Sequence, residues 1–259
     1  DSRILPTENF TYLGLIFNKK GSWNQNIILR SGALYRELLA LTLFSSKIGH
    51  RSIKHMLNIY KARSVPIATY GAGVWGGGNI RTIQVSENKI FRKLLVVPQS
   101  TSTLICHKEL GMPFIEDTIR AAPILLWHKI WSKEEAGLNR SIINDCLKMD
   151  LGLKIPWLAG VKKSLEACGR LDLFQNPTSC QDIDRCKLKS QFMAFFEDTR
   201  LNFCSNSISV ASFLHVHSHQ GLQPYLSFVE PSYHRFILTR FRLRSEERRV
   251  GKSVGYSVD

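Results

Sequence analysis

The chain has 259 residues, of which 44% are hydrophobic and 22% charged, and its formal charge is +14. That balance excludes a disordered polar tail and leaves room for one large or two modest domains. Such an excess of Lys and Arg suits a polyanion, because cations that neutralise phosphates release condensed counterions; a basic surface kept for solubility is the alternative.

In chain order, the aromatic and aliphatic run Phe10 to Phe17 ends at Asn18-Lys19-Lys20-Gly21 and predicts a short hairpin or an edge strand closing in a turn. Ser22 is placed to cap a helix whose apolar face runs Trp23, Ile27, Leu34, Leu38 and Leu41, with Gly32 a mild weakness. A second helix is expected from Ser52 to about Val65, ended by Pro66, and a third from about Ile80 to Val96, stopped by Pro98. Thr101 to Leu110 reads as a short helix closed by Gly111, with Pro113 beyond. Ile115 to Trp131 is helical in pattern with Pro123 inside it, so it is either kinked there or restarted with the proline in its first turn. Further on, Leu138 to Leu147 and Asp184 to Cys204 look helical and Ser205 to Pro231 polar and irregular. The fold class is therefore mainly α, with a short N-terminal β strand or hairpin and a less regular helical region after the first bundle.

The six cysteines include no C-x-x-C pair, so they read as reduced thiols of an intracellular compartment, nucleus or cytoplasm, and not as a zinc site. No membrane span is expected. The longest uncharged stretches, Ser64 to Ile80 and Ser205 to Val229, are too rich in Gly, Ser, Asn, Gln, His or Pro. Gly71-Ala72-Gly73-Val74-Trp75-Gly76 fits G-x-G-x-x-G literally, but a helix precedes it and Trp75 with Gly76-Gly77-Gly78 fills the junction where a βαβ unit would pack, which argues against a dinucleotide site. His215, His217 and His219 would share one face of a strand, yet they lack an acidic or cysteine partner nearby, and a solvated loop is the expectation. Cys106 and His107 point about 100° apart on a helix and do not form a nucleophile and base.

Ordered landmarks give a more specific reading. Tyr12-Leu13-Gly14, Trp23, Tyr70-Gly71, Trp75-Gly76 and Glu109-Leu110-Gly111-Met112-Pro113 resemble, in order and spacing, the segment downstream of the palm in reverse transcriptases of non-LTR retrotransposons. The match covers roughly Phe10 to Trp131. Two departures stand out: Ala72-Gly73-Val74 replaces a Glu often found between the Tyr-Gly and Trp positions, and the Glu-Leu-Gly turn reaches its proline with shortened spacing. Leu238-Thr239-Arg240-Phe241-Arg242-Leu243 looks like the run that precedes a zinc knuckle in many members.

The resemblance implies a division into the end of the palm (1–22), a helical thumb-like domain (23–131) and a helical connector (132–243). It implies a thumb that closes over an RNA/DNA template-primer duplex, a palm domain as its covalent partner, no membrane, and magnesium in the parent enzyme with no cofactor in this piece. Asp1 without an initiator methionine fits a piece of a longer polypeptide. Residues 244–259, from Arg244-Ser245-Glu246-Glu247-Arg248-Arg249-Val250-Gly251-Lys252 onward, look like translated sequencing adaptor, and they contribute only four basic against three acidic residues.

The phosphate-binding candidates are Arg30, Arg36, Lys54, Lys61, Arg63, Arg81, Lys89, Arg92 and Lys93, all on predicted helices. Catalytic and metal residues are not expected here, because two-metal nucleotidyl transfer needs clustered carboxylates and the chain has no Asp-Asp pair. Its doublets Glu116-Asp117, Glu134-Glu135 and Glu197-Asp198 read as solvated helix surface. The reading is a reverse transcriptase fragment that binds nucleic acid and does not polymerise alone; the alternative is a basic helical interaction module without a nucleic-acid role.

Overall fold

The structure, a computed structural model, describes residues 7–47, 52–133, 137–148, 155–204, 208–216, 221–227 and 232–243. It is mainly helical with one small sheet, as the sequence leads one to expect. Strands β1 (Asn9–Tyr12) and β2 (Leu15–Asn18) precede helices α1 (Asn24–Lys47), α2 (Ile53–Ile59), α3 (Val65–Thr69), α4 (Ala72–Trp75), α5 (Arg81–Leu95), α6 (Thr103–Leu110) and α7 (Ile115–Trp131). There follow α8 (Leu138–Lys148), α9 (Pro156–Ala167), α10 (Asp172–Gln175), a 3-10 turn at Pro177–Asp182, α11 (Arg185–Cys204), α12 (Ile208–Val216), α13 (Pro224–Ser227) and α14 (Ser232–Arg242). Packing divides the chain into two units that interleave along the sequence. The first takes Asp1–Arg30, Thr69–Thr82 and Ile115–Arg200, the second Ser31–Ala68, Ile83–Phe114 and Leu201–Asp259.

In the first unit β1 and β2 pair antiparallel, Tyr12 opposite Leu15 and Asn9 opposite Asn18. The reversal therefore lies at Leu13-Gly14, inside the run expected to form a short hairpin or an edge strand, and not at Asn18 to Gly21, where the turn was expected. Both turn residues have positive φ, 47° and 74°, the hand that matches strand twist in a two-residue hairpin. Leucine is a poor residue for that conformation, and the turn is held from outside. Tyr70 donates its hydroxyl to the Leu13 carbonyl at 2.7 Å, and Arg30 donates to the Gly14 carbonyl while lying over the Tyr70 ring, 4.7 Å from its centroid. A two-stranded ribbon is marginal by itself; here Leu15 also covers Gly71, leaving no room for a β-carbon at that residue.

Helix α7 is the spine of this unit. Ala121, Ile124, Trp127 and Trp131 are buried against Leu158, Val161 and Leu165 of α9, Leu173 and Cys180, and Leu188 and Phe192 of α11. Each such side chain contributes roughly 1.5–3 kcal/mol of transfer free energy. Trp127 donates its indole N–H to the Leu173 carbonyl at 3.0 Å, fixing the α10 turn on the spine. Pro123 neither ends nor restarts α7. It takes a donor from the Ile119 carbonyl, and Gly76 packs its backbone there, where a β-carbon would run into that oxygen.

In the second unit Pro66 does not stop the second helix either. The chain passes from α2 through a π-helical turn, Tyr60–Ser64, straight into α3, Val65 donating its N–H to the Tyr60 carbonyl. A wide turn of this kind displaces the carbonyl that a helical proline would strike. Gly111 closes α6 with φ 61°, the left-handed cap expected of it, and its bare Cα lies against the Gly221–Leu222 backbone. Part of the stretch expected to be irregular is helical, as α12 and α13. Their apolar Val210, Phe213 and Leu226 are buried, α12 against α6 and α13 against α2. His215 is therefore in the last turn of a helix and not on a strand; His217, His219, Glu134-Glu135 and the tail 244–259 lie outside the described residues. No helix among the described residues is long and apolar enough to cross a membrane.

Two glycine substitutions separate these demands. Gly76→Ala should lower stability by about 1–3 kcal/mol through overpacking against α7. Gly160→Ala, mid-helix and with open space where a β-carbon would go, should be neutral or raise it by up to about 1 kcal/mol. Thermal unfolding followed by circular dichroism reads both; equal midpoints for the two variants would refute the role given to Gly76.

Candidate nucleic-acid interface

The strongest candidate site is built on α5 in the second unit. Its apolar side, Ile83, Ile90, Phe91, Leu94 and Leu95, is buried, and its only carboxylate, Glu87, is buried with it at 0% exposure. A buried carboxylate needs donors to offset desolvation. Glu87 accepts the Tyr60 hydroxyl and, at 2.8 Å, the Gln84 amide, and its Oε2 lies 3.6 Å from His107 Nε2. His107 faces oxygen with both ring nitrogens, the Met112 carbonyl at 3.2 Å and Asn88 Oδ1 at 3.1 Å, and stacks on Phe114 with centroids 3.6 Å apart. Burial, reinforced by Glu87, pushes the Tyr60 phenol well above its ordinary range.

With Glu87 turned inward, the outer side of α5 carries Arg81, Lys89, Arg92 and Lys93 with no acid among them. Lys89 and Lys93 are exposed and one turn apart, so they share a face. They flank a groove of about 460 Å³ between α1 and α5, whose floor is Leu38 and Ile90 and whose rim includes Tyr35, Arg92 and Gln99. Arg92 is held there by its Nε–H, donated to the Thr101 carbonyl at 2.9 Å. Two exposed ammonium groups over an apolar floor beside a half-exposed tyrosine can follow a phosphodiester strand and stack a base, without reading its identity.

The groove thus gathers Lys89, Arg92 and Lys93 out of the nine cations singled out in the sequence. Arg36, Lys54 and Lys61 are exposed elsewhere in the second unit. Arg63 is engaged by Glu37 at 2.7 Å. In the first unit Arg81 is exposed at the start of α5, and Arg30 is spent on the hairpin turn. Tyr35 and Gln99 were missed from sequence. Tyr35 follows the inward Leu34 and so lies about 100° off the apolar stripe, which was a usable signal; Gln99, beyond the end of α5, gave none.

One acidic doublet departs from the solvated reading. Asp117 is buried, and Arg200 holds it in a two-pronged pair at 2.5 and 2.9 Å, because α7 is covered on the side from which Asp117 projects. Burial still pushes its carboxyl upward against the pull of Arg200. Glu109, at 0% exposure, accepts the Tyr225 hydroxyl at 2.6 Å and Arg242 Nε at 2.8 Å, binding α13 and α14 to the end of α6. Cys106 is buried and its thiol is pushed up to about 12, so it is held protonated and is no nucleophile at neutral pH. Among the described residues no group of three or more His, Cys, Asp or Glu is disposed to hold a metal ion.

No protein-family model, curated protein or solved structure matches this chain.

Two measurements check the burial described here. Tyr60 and Tyr225 both have phenols raised by burial and by a neighbouring glutamate. The stability they contribute is complete below about pH 10 and is lost as pH climbs towards their folded values. Unfolding midpoints should therefore fall above about pH 10, and less steeply in Tyr60→Phe; parallel profiles would contradict the assignment. In thiol alkylation at pH about 8, exposed Cys186 should react first, with Cys106 and Cys180 at least about tenfold slower until the chain unfolds. Peptide mass spectrometry over time resolves this, and early labelling of Cys106 would refute its burial.

Proposed function

We propose that this chain is the thumb and downstream part of a non-LTR retrotransposon reverse transcriptase, and that it contributes template-primer binding while a palm domain of the parent polypeptide, with its magnesium ions, supplies polymerisation. The observation that carries the binding reading is the groove on α5, where Lys89, Arg92 and Lys93 line one side and the sole acid of the helix is buried on the other. Such a surface suits an RNA–DNA duplex held through phosphates.

The landmarks behind the resemblance add support, since they touch one another or the segments beside them within each unit. Leu13 and Gly14 are bound by Tyr70 and Arg30, and Trp75 donates its indole N–H to the Tyr70 carbonyl at 2.9 Å. Glu109 and Gly111 meet the segment that ends in Arg242.

Binding of a blunt RNA–DNA hybrid, measured by fluorescence anisotropy across a salt series, tests the proposal. Replacing Lys89 and Lys93 together by alanine should weaken binding about tenfold or more and reduce the slope of log K against log salt by about two. An unchanged slope would remove the groove from the interface. Binding to a protein partner that ignores salt, with none to the hybrid, would favour the basic interaction module instead.

A further inference from the structure

The first unit contains a second cavity, unrelated to the α5 groove. It has a volume of about 390 Å³ and is lined by Trp23, Trp157, Pro123 and Phe196, by the Gly76–Gly78 turn, and by Gly160 and Lys163 of α9. That volume is in the range of small-ligand sites, about 300–1,000 Å³. Its aromatic walls are fixed: Trp157 donates its indole N–H to the Gly73 carbonyl at 2.7 Å, and Trp23 packs edge-on to Phe17 with centroids 5.4 Å apart.

The glycines show that the space is kept open. Gly76 is required by the α7 backbone, but a β-carbon on Gly77 or Gly160 would meet nothing within 4 Å. Glycine inside α9 weakens the helix relative to alanine, and no neighbour there demands its small size. The cations at the rim are unequal. Arg120 is paired with Glu116 at 2.7 Å, whereas Lys163 is exposed and forms no ion pair among the described residues.

We propose that this cleft takes one unstacked nucleobase, held by the walls of Trp23 and Trp157, with its phosphate on Lys163. A flat ring carrying one adjacent negative charge is the ligand that two indoles, a proline and a single unengaged ammonium complement, and stacking on aromatic side chains accepts any base. The site owes nothing to a phosphate-cradling glycine loop, so the literal G-x-G-x-x-G string plays a different part here from the dinucleotide fingerprint. The proposal rests on the nucleic-acid reading above and extends it: the α5 groove would take duplex, the cleft a single-stranded base.

The test compares three hybrids, one blunt, one with a short single-stranded overhang, and one whose overhang is abasic. Wild type should prefer the base-bearing overhang over the abasic one by about tenfold. Gly160→Leu, which fills the cleft from a helix position with free space, should abolish that preference while leaving blunt-hybrid affinity unchanged and the unfolding midpoint no lower than that of wild type; Lys163→Ala should reduce it. Equal binding of the two overhangs by wild type, or a preference that survives Gly160→Leu, overturns the proposal while leaving the groove reading intact. If no hybrid binds, adenosine monophosphate still reads the cleft: saturable quenching of tryptophan emission in wild type, absent in Gly160→Leu, supports it, and no quenching sinks it.

Discussion

A carboxylate taken out of water must be met by donors or cations, and three of them organise this molecule. Glu87, Glu109 and Asp117 are 0–3% exposed, and none is served by its sequence neighbours alone. Glu87 draws in Tyr60 and His107, Glu109 draws in Tyr225 and Arg242, and Asp117 draws in Arg200. Such groups stabilise little in net terms, because desolvation offsets most of the attraction, yet breaking one side leaves an uncompensated charge at a cost of several kcal/mol. They act as registration marks. Within each unit they specify which distant helix packs where, a task that apolar contact alone performs loosely.

The same burial shapes the outer electrostatics. A chain with 35 basic and 21 acidic residues is already positive, and every carboxylate neutralised in the interior raises the share of cations that faces solvent. On α5 this is complete: the acid points inward and the lysines outward. The basic groove is thus a by-product of core chemistry as much as of composition, with Lys89 and Lys93 one helical turn apart on the same face.

Prolines and glycines show a second pattern, in which a backbone defect is answered by a second backbone feature. Pro123 frees the Ile119 carbonyl and Gly76 packs there; Pro66 follows a π turn that widens the helix before it; Gly111 bares its Cα so that Gly221 can approach. Reading a residue singly as a helix stop was right for Gly111 and wrong for Pro66, and Pro123, expected to kink α7 or restart it, lies inside one continuous helix. A helix breaks at proline only when nothing compensates the lost hydrogen bond and the ring clash.

By itself the sequence determined the helical class, the positions of α1, α5, α6 and α7 to within a few residues, the Gly111 cap and the basic character, since each depends on periodicity, on capping chemistry or on charge within a few turns of chain. The hairpin was half legible: its residues were recognised, but the turn at Leu13-Gly14 was not, because leucine rarely takes positive φ and only Tyr70 and Arg30, far along the chain, hold it there. Tertiary structure alone decided which carboxylates went inside, which lysines share a groove, and that Arg30 and Arg63 are engaged by Gly14 and Glu37. Local spacing sets the face of a helix on which a side chain lies. Only the packing of segments remote in sequence decides what that face meets, and therefore whether a charge is neutralised in the core or left to bind a partner.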